Sequence, residues 1–254
     1  MRLLIAILTL ALSSIQALAQ ITVAAAADLN PALAEMAGTY RKEKGTEVKL
    51  SFGASGNLLT QIKNGAPFDL FFSADESYPQ QLVDARLADG SSLYRYAIGR
   101  VVLWVPASST LDVEQRGFDI LLDPSVKKIA IANPQHAPYG RAAEAALRHA
   151  GLYEKVADRL VLGENISQTA QFVESGNAQA GLVALSHAVA PAMQGKGKYW
   201  MVPQEDYPPL KQAVVMISST THKKEAAAFL EYLKTRAAVE LLKRYGFSVP
   251  EEKR

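Results

Sequence analysis

The run Gly53-Ala54-Ser55-Gly56-Asn57 stands between a strand-like stretch, Val48–Phe52, and a segment that reads as a helix from near Asn57. Small residues there let the backbone approach a bound group closely, and the Ser55 hydroxyl and the unpaired N–H groups of a helix's first turn all donate hydrogen bonds. A donor loop of this kind suits an anion. The pattern recurs at Ala25–Asn30 and at Ala137–Gly140, where small residues again lead from an apolar strand into a helix. In Asn133–Gly140 two prolines fix the loop and deliver a helix start at Tyr139-Gly140. Glu164-Asn165-Ile166-Ser167-Gln168 follows another strand, so the Ile166 N–H is available there, alongside an ordinary N-cap at Asn165 or Ser167.

Other chemistries leave weaker marks. The Ser55 run lacks the closing glycine of a G-x-S-x-G nucleophile elbow, and none of His136, His149, His187 and His222 is near it in sequence. A serine hydrolase would therefore need a triad assembled from distant residues. The histidines share no metal-ligand spacing and the chain has no cysteine, which argues against a zinc site. Gly195-Lys196-Gly197-Lys198 lacks the remaining residues of a phosphate loop and reads as an exposed turn. Asp69, Asp75 and Glu76 read as solvated or capping carboxylates rather than as paired acids.

The elements that must position these loops alternate. Strands are expected at Ile21–Ala25, Glu47–Phe52, Leu70–Ser73, Val101–Val105, Lys128–Ala132, Leu160–Leu162, Gly181–Leu185 and Val214–Ser218. Helices are expected at Pro31–Lys44, Leu58–Asn64, Gly140–Ala150, Gln168–Gly176 and Lys223–Arg244, the last capped by Thr221 and closed by Gly246. Such alternation implies an α/β protein with mostly parallel sheets covered on both faces. The length suffices for two cores, yet no flexible linker appears, so two lobes are expected to share the chain through crossing segments near Ala97–Arg100 and Tyr199–Pro203. Lobe one is then residues 20–97 plus 203–254 and lobe two residues 98–202. All the donor loops fall beyond the carboxyl ends of strands, where open α/β sheets bind ligands, so the cleft between the lobes is the expected site.

Met1-Arg2 followed by the apolar Leu3–Leu12 and by Ala17-Leu18-Ala19 reads as a signal peptide over residues 1–19, with the mature chain starting at Gln20. Export to the periplasm follows. The absence of cysteine excludes disulfides and a lipid anchor on a cleavage-site cysteine. A formal net charge of +2, with Lys and Arg scattered, gives no footprint for nucleic acid. The basic end, Lys243-Arg244 and Lys253-Arg254, reads as a favourable last helical turn plus a solvated tail.

At these residues the chain resembles the periplasmic molybdate-binding proteins that serve ABC importers. The resemblance is carried by Ile21–Leu29, Ser51–Asn57, the run Asn64-Gly65-Ala66-Pro67-Phe68-Asp69-Leu70-Phe71-Phe72-Ser73-Ala74-Asp75-Glu76, Ala130–Pro134 with Ala137–Gly140, Ala180–Leu185 and Lys243–Phe247. It implies a two-lobed periplasmic binding protein of the type II-like kind. The family's ligand, molybdate or tungstate, is held as a tetrahedral oxyanion by hydroxyl and backbone N–H donors, with no direct metal ligands, no catalysis and no further cofactor. Carried over by position, the contacts are Ala27 and Asp28, Ser55 through hydroxyl and N–H, the Tyr139 N–H and the Ile166 N–H. A tyrosine that some relatives place after the Gly-Leu-Val strand is Ala184 here. Asp28 is a departure: an ionised carboxylate repels a dianion, so its side chain is expected to turn away, toward Asn30-Pro31, leaving its N–H at the ligand. The resemblance further implies a monomer that closes about its crossings and presents the closed form to an inner-membrane permease. A binding protein for another oxyanion, such as sulfate, would keep the same fold.

Overall fold

The computed structural model describes residues 19–249; apart from Ala19, the expected signal segment lies outside them, as does Lys253-Arg254. The chain opens with β1 (Gln20–Ala26), α1 (Asn30–Lys44), β2 (Glu47–Gly53), α2 (Ser55–Lys63), β3 (Leu70–Ser73), α3 (Ser77–Asp84) and β4 (Ala88–Gly99). A second series follows: β5 (Val101–Pro106), α4 (Val113–Arg116), β6 (Ile129–Ala132), α5 (Pro138–His149), α6 (Tyr153–Val156), β7 (Leu160–Gly163), α7 (Ile166–Glu174), β8 (Ala180–Ala184), α8 (Leu185–Ala188) and β9 (Gly197–Met201). The chain then returns through β10 (Leu210–Ile217) and ends in α9 (Lys223–Leu233) and α10 (Arg236–Arg244).

These strands form two five-stranded sheets, ordered β2-β1-β3-β10-β4 and β7-β6-β8-β5-β9. In the first, β10 runs antiparallel to both its neighbours, and in the second β5 does the same, so four strands of each sheet share a direction and one opposes them. The reversed strand is in each case the first one laid down after the chain changes lobe. It crosses between Gly99 and Val101 and returns over residues 202–209.

Local chemistry sets the element ends. Pro31 sits in the first turn of α1, where its missing N–H costs nothing, and Gly45 closes that helix at φ +71° by donating to the Arg41 carbonyl. The Asn165 side chain caps α7 by accepting from the Ser167 and Gln168 N–H groups. The expected single helix Lys223–Arg244 is two helices, because Thr235 in extended backbone caps a new start, its hydroxyl accepting the Ala238 N–H. Thr221 does not cap α9; His222 occupies that position without a side-chain capping bond.

Two strands escape the sequence pattern. β4 begins with the polar Asp89-Gly90-Ser91-Ser92, which resembles a turn, and pairs with β10 through register shifts. β9 is short and takes in the second half of the glycine-lysine run: Gly197-Lys198 pairs with Val105-Pro106, so the turn expected over Gly195–Lys198 ends at Lys196. Asp69 also differs from its expected solvated role. It is buried and accepts from the Thr22 N–H at 2.6 Å, the Thr22 and Thr220 hydroxyls and His222 Nδ1, tying β1, β3 and the end of β10 together. Asp75 does cap, accepting the Ser77 N–H at 2.9 Å.

The first core packs Ile21, Val23, Met36 and Phe72 against an aromatic group in which Tyr40 meets Phe229 and Tyr232 edge-on, both at 4.9 Å. The second gathers Val101, Leu103, Ile129, Ile131 and Leu182. Its apolar cluster continues across the cleft to Ala26, Ala27, Ala54 and Ala74 of the first lobe, so the lobes are in contact at the strand ends. Phe229 is fully buried where α9 meets the sheet. Phe229→Ala is expected to destabilise the protein by roughly 3–5 kcal/mol, measured by denaturant unfolding; a loss under about 1 kcal/mol would show that this aromatic group is not central to the first core.

Candidate functional site

The carboxyl ends of β1, β2 and β3 face those of β6 and β7 across the cleft, and a helix or helical turn starts just beyond most of them. Between them is a cavity lined by Ala26, Ala27, Asp28, Gly53, Ala54, Ser55, Ala74, Ala137, Pro138, Tyr139 and Ile166. The structure thus brings Ala27, Asp28, Ser55, Tyr139 and Ile166 together. The cavity is very small, about 10 Å³ as traced by the centre of a water-sized sphere, far below the roughly 300–1,000 Å³ of pockets for organic ligands. The lining includes no Lys, Arg or His.

The donors belong to helix starts. Ser55 opens α2, Tyr139 is the second residue of α5 after Pro138, and Ile166 opens α7; none of their N–H groups has an acceptor within the described protein. The Ser55 hydroxyl oxygen accepts the Ala74 N–H at 3.1 Å, which fixes the side chain and leaves its O–H proton to donate. Helix dipoles add positive potential at the N-termini of α2, α5 and α7.

Acceptors are drawn off elsewhere. The Ala27 carbonyl takes hydrogen bonds from Ser167 Oγ and from His187 Nε2, both at 3.1 Å, and the Asp28 carbonyl takes one from Ser186 Oγ at 2.6 Å. His187 is half-buried, and the loss of water around its ring pushes its pKa down to about 4 against the pull of the Ala27 carbonyl, so it is neutral with its proton on Nε2. These bonds join α7 and α8 of one lobe to the first loop of the other. The sequence pattern gave Ser167 only a capping role and did not single out Ser186 or His187.

Asp28 is wholly buried, and its carboxyl does turn, but toward Gln212 and Tyr139 rather than toward Asn30-Pro31. Gln212 Nε2 donates to Oδ2 at 2.5 Å, and Gln212 Oε1 accepts from the Tyr96 hydroxyl at 2.8 Å. A buried glutamine in mid-strand β10 left no pattern to read. Burial raises the Asp28 pKa to about 6 although Gln212, Tyr139 and the N–H groups of Asp28 and Leu29 favour the charged form. Oδ1 has no partner.

Three contacts bind the lobes at the rim. The Gly56 N–H donates to the His136 carbonyl at 2.9 Å, and a Cβ at Gly56 would meet that oxygen at 2.9 Å. Arg141 crosses to Asp75 Oδ2 at 2.7 Å and to the Tyr78 hydroxyl at 2.9 Å. A groove beside the cavity carries Asp75, Glu76, Arg141 and Lys211, but these pair with one another.

The arrangement does not support nucleophilic catalysis. No histidine hydrogen-bonds Ser55 among the described residues; His136 touches Gly56 by backbone and sends Nε2 to the Glu164 carbonyl. Ser167 lies 3.3 Å from His187 Nε2, but that nitrogen carries the proton and gives it to Ala27, so it cannot act as a base. The described residues contain no cluster of three or more metal-ligating side chains.

Two sheets of this topology, each with one reversed strand and a small cavity where their strand ends meet, define a two-lobed solute-binding protein. A sequence profile described as "Bacterial extracellular solute-binding protein" matches residues 21–248, and the chain belongs to that family. It is 36% identical to the "Molybdate-binding protein ModA" of Rhodobacter capsulatus over 90% of this chain and 88% of that one. Identity to the Azotobacter vinelandii protein of the same name is also 36%, over 91% and 90%. The solved structure titled "Azotobacter vinelandii periplasmic molybdate-binding protein" superposes with a TM-score of 0.86, covering 91% of this chain and all of that one. The Mycobacterium tuberculosis sulfate-binding protein SubI, at 19% identity and a TM-score of 0.75, shares the fold, covering 92% of this chain and 88% of that one.

The close approach of α5 to β6 depends on Gly140, where a Cβ would lie 2.2 Å from the Ala132 carbonyl oxygen. Gly140→Ala is expected to lower stability by about 1–3 kcal/mol through displacement of the helix start, seen as a lower melting temperature. An unchanged melting temperature would mean that the loop relaxes freely.

Proposed function

We propose that this protein binds molybdate, and tungstate nearly as well, in the inter-lobe cavity and hands it to an inner-membrane ABC permease. The observation that carries this reading is the set of free donors, three helix-start N–H groups and the Ser55 hydroxyl, around a small cavity with no cationic side chain. The 36% identity to proteins named for molybdate supports the choice of anion.

In this reading Ala27, Asp28, Ser55, Tyr139 and Ile166 contact the oxyanion, and no other cofactor is needed. A dianion entering the cavity gives up strong hydration, and donors fixed beforehand replace it without further ordering. Charge-assisted bonds contribute roughly 1.5–3 kcal/mol each, so about half a dozen support nanomolar binding, near −12 kcal/mol. Size selects against sulfate, whose shorter bonds leave it loosely held. The lobes, residues 20–97 with 203–254 and 98–202, close about the two crossings as a monomer in the periplasm after removal of residues 1–19. The closed form is the one the permease recognises.

Titration calorimetry with molybdate, tungstate, sulfate and phosphate tests this. Comparable tight binding of the first two and weak or absent binding of the others is expected; tight sulfate binding without molybdate binding would reassign the ligand. Ser55→Ala should weaken molybdate binding by about 1–3 kcal/mol, roughly five- to two-hundredfold, with an unchanged melting temperature. Equal affinity in the variant would remove Ser55 from the contact set.

A further inference from the structure

Among the cavity-lining residues, Asp28 is the one ionisable carboxyl, and it is held where charge is hard to keep. One oxygen, Oδ2, takes the Gln212 amide; the other, Oδ1, is buried and without a partner. The groups that face it bring no positive charge. Tyr96 from β4 and Tyr139 from α5 are phenols whose own ionisation is pushed up by burial and by Asp28, and Tyr207 lies beside Tyr139. From β10 comes the neutral Gln212, and from α8 come Ser186 and the neutral His187, both engaged with backbone carbonyls.

Resting on the reading above, we propose that the oxyanion enters together with one proton held on Asp28 at Oδ1, so that the acid form of Asp28 is the form that admits the dianion. An ionised Asp28 would place three negative charges in a cavity whose only compensation is neutral dipoles. A neutral carboxyl instead removes the third negative charge from beside the ligand and leaves no buried carboxylate oxygen charged and unpartnered, and no bond to Gln212 is lost, since Oδ2 still accepts. The chemistry balances as an ionic equilibrium: one dianion and one solvent proton are taken up, and both leave on release.

Linkage fixes the sign. Without ligand Asp28 titrates near 6, and the bound dianion raises that value further. Below about pH 6 the carboxyl is already protonated and affinity is flat; above it affinity falls by up to about tenfold per pH unit until the bound-state value is reached.

The experiment is titration calorimetry with molybdate on the purified protein between pH 6 and 8.5, in paired buffers of high and low ionisation enthalpy, with difference infrared spectroscopy of the carboxyl region. The expected result is uptake approaching one proton per anion at pH 7.5, with a protonated-carboxyl band appearing on binding. In Asp28→Asn, uptake and band should vanish and affinity should stay level across the range. Tight molybdate binding with no proton uptake in the wild type overturns the proposal while leaving the proposed function standing. Uptake that persists in Asp28→Asn overturns the assignment to Asp28. Absence of molybdate binding at every pH overturns the proposal along with the reading it rests on.

Discussion

A small, doubly charged ion leaves water only if hydrogen-bond donors already wait for it, and a protein can keep backbone donors waiting in few places. Helix starts are the main one, because the first N–H groups of a helix have no partner within it. The placement of α2, α5 and α7 around one point follows from that constraint. So does the treatment of nearby acceptors: the carbonyls of Ala27 and Asp28 are bonded outward to Ser167, His187 and Ser186. A cage of donors is as much a matter of removing lone pairs as of supplying protons.

Small side chains do the rest. Ala26, Ala27, Ala54, Ala74 and Ala137 form both the cavity wall and the apolar seam across which the lobes meet. Larger residues at these positions would hold the sheets apart, and the donors of one lobe would no longer reach the point addressed by the other. Gly99 shows the same economy at the crossing, where a Cβ would lie 2.1 Å from the Tyr139 hydroxyl. The connection between lobes and the polar group around Asp28 are therefore in direct contact.

Much of this was legible in the residues. Alternating apolar runs and helical periods located most strands and the long helices; small-residue loops between them marked Ala27, Ser55 and Tyr139, and the helix opening at 164–168 marked Ile166, all of which the fold brings to one cavity. Long-range partners could not be read. Gln212 reaches Asp28 across 184 positions of sequence, and Ser186 reaches the Asp28 carbonyl across 158. Local pattern carries no trace of such pairs, which is why the direction of the Asp28 carboxyl was misjudged. β4 was missed because its polar start imitates a turn, and the break before Thr235 because the helical period runs on through it.

The strand order also constrains how the molecule comes into being. β4 joins the first sheet only through β10, which inserts between it and β3. A nascent chain that has not yet reached Ile217 lacks the piece that links them, whereas the second sheet draws all its strands from a continuous stretch, Val101 to Met201. The interior segment can thus condense while the outer one still waits for its last strand. Until then the outer lobe is incomplete, with the edge of β3 that β10 will cover left unpaired.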